Sequence, residues 1–211
     1  MFLCHASMIY GGKVGYNVRD AIWRASFLFI INHTSYSTLD GAAKVPEFVA
    51  RAKELGMPGV GITDHGNLSG IIEFYRECKK HEINPNIGIE AYFCDDRHVK
   101  AKPQTAYGAL DGTDKRYYHL TLLAENNTGY HNLIKASSDS YLTGHYFKPR
   151  MDWDSISEYS EGLIAASGCL GGPVLQPLLH ERYDVALEAA ARLQDIFGKE
   201  NFFIEMMDHG L

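Results

Sequence analysis

Ten histidines are spread along this chain of 211 residues, and several stand where chemistry could use them. His33 follows the apolar run Phe27–Ile31, and Asp64-His65 follow Val60-Gly61-Ile62. Glu90 follows Ile87–Ile89, and Cys169 closes Ser167-Gly168-Cys169 just after Leu163–Ala166. His119 differs, because it lies inside the run Tyr118–Ala124. His, Asp, Glu and Cys are the donors that bind Zn, Mn or Fe. A mixed set with carboxylates suits a hydrolytic site better than a closed structural one, which takes four Cys or His at tight spacing. Metal ions held close together activate water and neutralise a phosphate during displacement, so the chemistry in view is metal-dependent phosphoester hydrolysis.

Each residue also has a plainer reading. His33, near Ser35 and Ser37, reads as a turn cap, and Asp40-Gly41 as a turn. Glu90 reads as a partnered buried carboxylate, His119 as a satisfied core histidine and Cys169 as a small buried hydrophobe. Asp208-His209 reads as the place where a strand leaves the core. Asp64-His65-Gly66 is sharper, since two ionisable groups come directly after a buried strand. The shared position just after apolar runs is the signal.

Runs of this length bounded by polar turns read as buried parallel strands. The segments between them have helical spacing. Val45, Phe48, Val49, Ala52 and Leu55 recur at three and four, with Gly56 as a stop. Ile71, Ile72, Phe74, Tyr75 and Cys78 form a broader apolar face, and Tyr130, Leu133 and Ile134 open a helix reaching about Tyr141. Ala186, Leu187, Ala190, Leu193 and Phe197 make a further helix closed by Gly198. Alternating strands and helices predict an α/β fold, with the donors gathered at one end of one sheet. Residues 95–116, rich in Asp, Lys, Arg and Gly, read as one long exposed loop. Residues 1–26 carry no P-loop spacing and read as an extension of unknown role before a domain over 27–211. Asn201–Met207 is strand-like and is followed by a polar pair and the chain end, so a domain truncated at its C-terminus is expected.

Composition narrows the classes. Apolar residues make up 45% and charged residues 22%, ordinary values for a globular chain. The net charge of -6 argues against a protein that simply coats DNA, but not against a nucleic-acid enzyme whose acidic groups hold metal. No apolar run approaches the roughly 20 residues of a membrane span. The start lacks the pattern of a signal peptide. Cys4, Cys78, Cys94 and Cys169 are far apart, which predicts reduced thiols in the cytoplasm.

From about Phe27 to Leu211 the chain closely resembles the polymerase-and-histidinol-phosphatase (PHP) domains of bacterial replicative DNA polymerase III alpha subunits. The resemblance is carried by His33-Thr34-Ser35-Tyr36-Ser37-Thr38-Leu39-Asp40-Gly41, Arg51–Pro58, Thr63-Asp64-His65-Gly66-Asn67-Leu68 and Glu73-Phe74-Tyr75. It continues through Gly88-Ile89-Glu90-Ala91-Tyr92, Tyr118–Ala124, Gly129-Tyr130, Asn132-Leu133-Ile134, Lys148-Pro149-Arg150, Ser167-Gly168-Cys169-Leu170 and Asp208-His209-Gly210-Leu211. The resemblance implies a distorted (β/α)7 barrel with a cluster of Zn, Mn or Fe ions at its strand ends. It implies His33, Asp40, His65, Glu90, His119 and Cys169 as metal ligands, with Asp64 supporting His65. Lys148 and Arg150 would hold phosphate, unless they are a solvated loop pair. Ile31 stands where the family's first motif has a histidine, and Ile has no donor atom. The family's last motif, an Asp-x-His, lies past Leu211, and Asp208-His209 is not a substitute for it.

Three functions compete. The first is the N-terminal PHP fragment of a replicative polymerase, with impaired metal-dependent 3′–5′ exonuclease chemistry; its partners would be DNA, the rest of the polymerase, the clamp and a proofreading subunit. The second is a non-catalytic scaffold that stabilises the polymerase or docks a proofreading subunit. The third is a stand-alone phosphoesterase of the histidinol-phosphatase type.

Overall fold

The apolar runs at Val60–Ile62, Ile87–Ile89, Tyr118–Ala124 and Leu163–Ala166 fall in strands, and the stretches of helical spacing become helices laid against them. The computed structural model describes residues 7–9, 31–100 and 117–207. Most of the 1–26 extension, Phe27–Ile30, the loop over 101–116 and Asp208-His209 lie outside the described residues. The order is β1 (Ser7–Ile9), α1 (Val45–Glu54), β2 (Gly59–Ile62), α2 (Ile71–Lys80), β3 (Asn84–Phe93), β4 (Tyr118–Ala124) and α3 (Asn127–Leu142). Then come β5 (Arg150–Met151), α4 (Trp153–Glu158), β6 (Leu163–Ala166), α5 (Leu175–Leu179), α6 (Tyr183–Phe197), β7 (Phe202–Phe203) and β8 (Glu205–Met207). The main sheet runs β2-β3-β4-β6-β7, with β5 also paired to β3, while β1 and β8 form a separate antiparallel pair. This is a mixed α/β fold. Among the described residues no helix is long and apolar enough to cross a membrane.

The sheet is not all parallel. β2–β3, β3–β5 and β6–β7 are parallel pairs, but β4 runs antiparallel to both β3 and β6. An apolar run encodes burial, not direction; direction follows from the connection, and residues 95–116 lack the apolar period of a crossover helix. The strand-like run Asn201–Met207 also divides at Ile204 into β7 and β8, which pair with different partners.

Two apolar clusters anchor the sheet. Val45, Phe48, Val49 and Ala52 of α1 and Ile71, Phe74 and Cys78 of α2 pack with Val60 and Ile62 of β2. Leu133, Trp153, Ile156, Leu193 and Phe197 pack with Ile89, Phe93, Leu120, Leu122 and Leu163. Leu68 and Ile87 touch both clusters and join them. The helical stripes are narrower than their sequence suggests, because Leu55, Ile72, Tyr75 and Leu187 are exposed. α3 starts where the Asn126 side chain accepts from Gly129 N at 3.0 Å, and α6 stops at Gly198, whose φ is +84°.

The segment after β3 is tied down at Arg97 rather than wholly exposed. Its guanidinium pairs with Asp139 and Asp152, and Asp152 also caps α4 through Ser155. Arg150 completes this clamp. Its Nε donates to Gly144 O at 3.1 Å, and its Nη2 to Arg97 O at 2.8 Å and Val99 O at 3.1 Å. Arg150, expected to hold phosphate, is buried, with its Nε and Nη2 donors on main-chain carbonyls.

Gly88 lets β3 lie close to β4. A Cβ there would stand 2.6 Å from Leu122 O and 2.5 Å from Leu123 Cδ2, so the strands would have to part. Gly88→Ala is expected to lower stability by about 1–3 kcal/mol, read as the urea midpoint. An unchanged midpoint would mean the two strands have slack.

Candidate metal centre

The parallel ladder of β2 and β3 extends past Ile62. Glu90 N donates to Asp64 O at 3.2 Å, and Gly66 N donates to Glu90 O at 2.9 Å. This sets His65 beside Glu90. Side chains alternate along a strand, so Glu90 and Tyr92 share one face of β3. The β3–β4 register places Thr121 opposite Glu90 and His119 opposite Tyr92. Because β4 is antiparallel, its first residues lie beside the last residues of β3. His119, which the sequence leaves inside an apolar run, thus arrives at the same edge as the other donors.

Glu90 is 4% exposed and sits at the centre. Its Oε2 lies 2.9 Å from His33 Nε2, and its Oε1 lies 2.6 Å from His119 Nδ1 and 4.0 Å from His65 Nδ1. His33 donates from Nδ1 to Thr63 O at 2.9 Å, which leaves Nε2 facing the carboxylate. Cys169 Sγ lies 3.5 Å from His119 Nδ1 and accepts from Gly171 N at 3.3 Å. Two sets of donors result: His33, His65 and Glu90, and Glu90, His119 and Cys169, each with its ligand atoms within 4.8 Å of one another. His65 Nδ1 is buried and has no hydrogen-bond partner. A buried, unsatisfied ring nitrogen beside a carboxylate is the arrangement a metal ligand would have, so this donor set fits a divalent ion.

Electrostatics follow from burial and charge. Burial raises the Glu90 carboxyl, but hydrogen bonds and charge from His119 and His33 outweigh it and hold the group well below the usual carboxylate range. His33 moves up, since its contacts with Glu90 overcome burial. His65 moves down, because burial and its neighbours His33 and His119 oppose a further charge. Cys78 and Cys94 are buried elsewhere, and burial pushes both thiols up to about 12.

Asp40 is more exposed and meets His65 at Nε2, the nitrogen away from Glu90. It belongs to the edge of the cluster. Asp64 points the other way. Its carboxylate accepts from Thr34 N at 2.6 Å, Thr34 Oγ1 at 2.8 Å and Ser37 Oγ at 2.6 Å. Ser37 Oγ in turn accepts from His65 N at 2.9 Å. Asp64 thereby fastens the 34–37 turn, with His33 at its start, to the end of β2. Lys148 stands at the rim, its Nζ 5.1 Å from the centre of the Tyr92 ring. Ile31 is buried and offers no ligand atom.

Sequence reasoning passed over Thr34, Ser37, Thr63 and Tyr92. Tyr92 had one available signal, its place two residues after Glu90 on a strand. The hydroxyls had none, because Thr34 and Ser37 bond Asp64 30 and 27 residues away and Thr63 bonds Asn32 31 residues away.

Comparisons with known proteins identify the family. The PHP domain family profile matches residues 31–209. The DNA polymerase III subunit alpha of Saccharopolyspora erythraea is 47% identical over 197 residues, covering 88% of this chain and 16% of that protein. The subunit alpha of Borreliella burgdorferi is 42% identical over 189 residues, covering 90% and 16%. That of Thermus aquaticus is 42% identical over 193 residues, covering 89% and 15%. The chain thus spans about one sixth of the length of these relatives. Among solved structures, an amidohydrolase from Chromobacterium violaceum aligns with a TM-score of 0.35 and 18% identity over 53% of this chain and 34% of that one, a level that carries no argument.

The cluster makes the metal-free protein sensitive to alkali. Burial opposes a charge on His119, but hydrogen bonds to Cys169 and Glu90 raise it from 6.5 to about 9. A raised histidine stabilises the fold fully below its unfolded value and loses that contribution as pH rises through its folded value. The thermal midpoint of metal-free protein is therefore expected to fall between pH 6.5 and 9, with a shallower slope in His119→Gln. A wild-type midpoint that stays level across that window would contradict the assignment.

Proposed function

The chain belongs to the PHP domain family, and from that premise we propose that its Glu90 cluster holds divalent metal ions and acts on phosphodiesters as part of a replicative DNA polymerase. The observation that carries this reading is the sharing of Glu90 between two donor sets, with His65 Nδ1 buried beside it and unpartnered. His33, His65 and Glu90 would hold one ion, and Glu90, His119 and Cys169 a second. Asp40 either joins the first or orients His65. Zn, Mn and Fe suit this mixture of imidazole, carboxylate and thiolate. A bound divalent ion supplies Lewis acidity, lowering the pKa of water and drawing charge from a phosphate oxygen.

The chain's own residues do the rest. Thr63 O holds His33 in one tautomer, so that Nε2 faces Glu90. Loading requires His119 to release its proton, so metal affinity rises with pH. Asp64 keeps the His33 turn and His65 in one geometry through Thr34 and Ser37. Lys148 presents a positive charge at the rim, where a phosphate would enter.

The relatives named DNA polymerase III subunit alpha support a role in DNA replication. The partners in this reading are DNA, the remainder of a polymerase, the clamp and a proofreading subunit, in the cytoplasm. The strands described are read as part of a distorted (β/α)7 barrel over 27–211, with residues 1–26 as an extension. The reaction is removal of nucleotides from a 3′ end.

Ile31 favours a second reading, a scaffold whose metal chemistry has lapsed. Its side chain is buried where the family motif has a donor, so any cluster here has at least one ligand fewer. Elemental analysis of the purified protein beside Ile31→His separates the two. The first reading predicts stoichiometric Zn, Mn or Fe in the wild type and more metal per chain in the variant. Metal in the variant alone supports the scaffold, and metal in neither overturns a metal centre.

A further inference from the structure

Tyr92 contributes to no donor set, yet the site is built around its ring. Tyr92 is 7% exposed. His65 stacks on it with centroids 5.8 Å apart and planes 14° apart, while His119 and Tyr117 meet it edge-on at 5.8 Å and 4.7 Å. The backbone makes room for this. Gly66 has φ +62°, and a Cβ there would stand 2.7 Å from Tyr92 Cε2 and 3.1 Å from Pro149 Cγ. The bare Gly66 surface therefore lets both the Tyr92 ring and the Lys148-Pro149 segment close over the His65 turn.

Lys148 is fixed from the other side. Tyr146 N donates to Lys148 O at 3.0 Å across a tight turn in which Phe147 has φ +62°. Lys148 Nζ lies 5.1 Å from the Tyr92 ring centre, and among the described residues it makes no ion pair. An ammonium over an aromatic ring keeps its charge and still has N–H donors free for an anion. It also loses less side-chain freedom when that anion binds.

We propose that Tyr92 is a positioning residue of this site, its ring holding the Lys148 ammonium at the rim of the Glu90 cluster to receive a phosphate oxygen of the substrate. This rests on the phosphodiester reading above and names how the substrate's anion is recognised. Tyr92 acts through its aromatic face and through Lys148, not through its hydroxyl.

The test titrates inorganic phosphate into metal-free wild type, Tyr92→Phe, Tyr92→Leu and Lys148→Met. Phosphate binding is measured by calorimetry in all four proteins, and NMR of the Lys148 ε-methylene, which the ring shifts upfield in the wild type, reports the ring contact in wild type and the two Tyr92 variants. Tyr92→Phe is expected to keep that upfield shift and bind phosphate within about twofold of wild type. Tyr92→Leu is expected to lose the shift, and both Tyr92→Leu and Lys148→Met to weaken phosphate about tenfold, the loss of one charge-assisted hydrogen bond. Metal content of the same proteins is read separately, so failure of the metal reading and failure of this proposal give different results. Should Tyr92→Leu misfold, Tyr92→Phe and Lys148→Met decide. Unchanged phosphate affinity in Lys148→Met, or an absent upfield shift in the wild type, overturns the proposal.

Discussion

A carboxylate that is 4% exposed needs matching positive charge or a metal ion, because leaving it bare in the interior costs on the order of several kcal/mol. Glu90 is that carboxylate, and much of the surrounding architecture meets its demand. His33 arrives from the segment before α1, His65 from the extension of β2, His119 from the start of β4 and Cys169 from the turn after β6. Four separate stretches of chain thus converge on one strand position. Without a metal, the histidines supply the charge. With one, the same atoms become ligands, and the protons must leave.

Convergence of this kind depends on backbone register more than on the ligands themselves. Glu90 is placed by main-chain bonds to Asp64 and Gly66, and His119 by the antiparallel pairing of β4 with β3. Asp64 spends its carboxylate on Thr34 and Ser37, and so ties the first loop to the second. It shapes the site without facing it. The two apolar clusters sit beneath these loops and meet at Leu68 and Ile87, which steadies the sheet edge from which the donors project.

Much of this was legible in the sequence, and the exceptions have physical causes. Donor residues placed just after apolar runs announced His65 and Cys169, which follow β2 and β6, because a strand's end is where a polar side chain first escapes the core; Glu90 instead lies within β3, and the run before His33 lies outside the described residues. His119 was legible as a donor but not as a strand-end one, since an apolar run does not reveal that β4 points the other way. Lys148 and Arg150 looked equivalent, two basic residues around a proline. Their difference comes from distant carbonyls of Arg97 and Val99, which claim Arg150 and leave Lys148 at the rim. Ile31 was legible at once, because a lost donor atom needs no structure to be seen.

The central claim is that one carboxylate serves both donor sets. Cobalt(II) titration of wild type and Glu90→Gln, followed by visible absorption, tests it directly, since Gln keeps the size of the side chain and removes the charge. The account predicts that the wild type develops the bands of an ordered cobalt site and that Glu90→Gln loses binding at both donor sets together. Cobalt binding in Glu90→Gln with wild-type stoichiometry and affinity would contradict it.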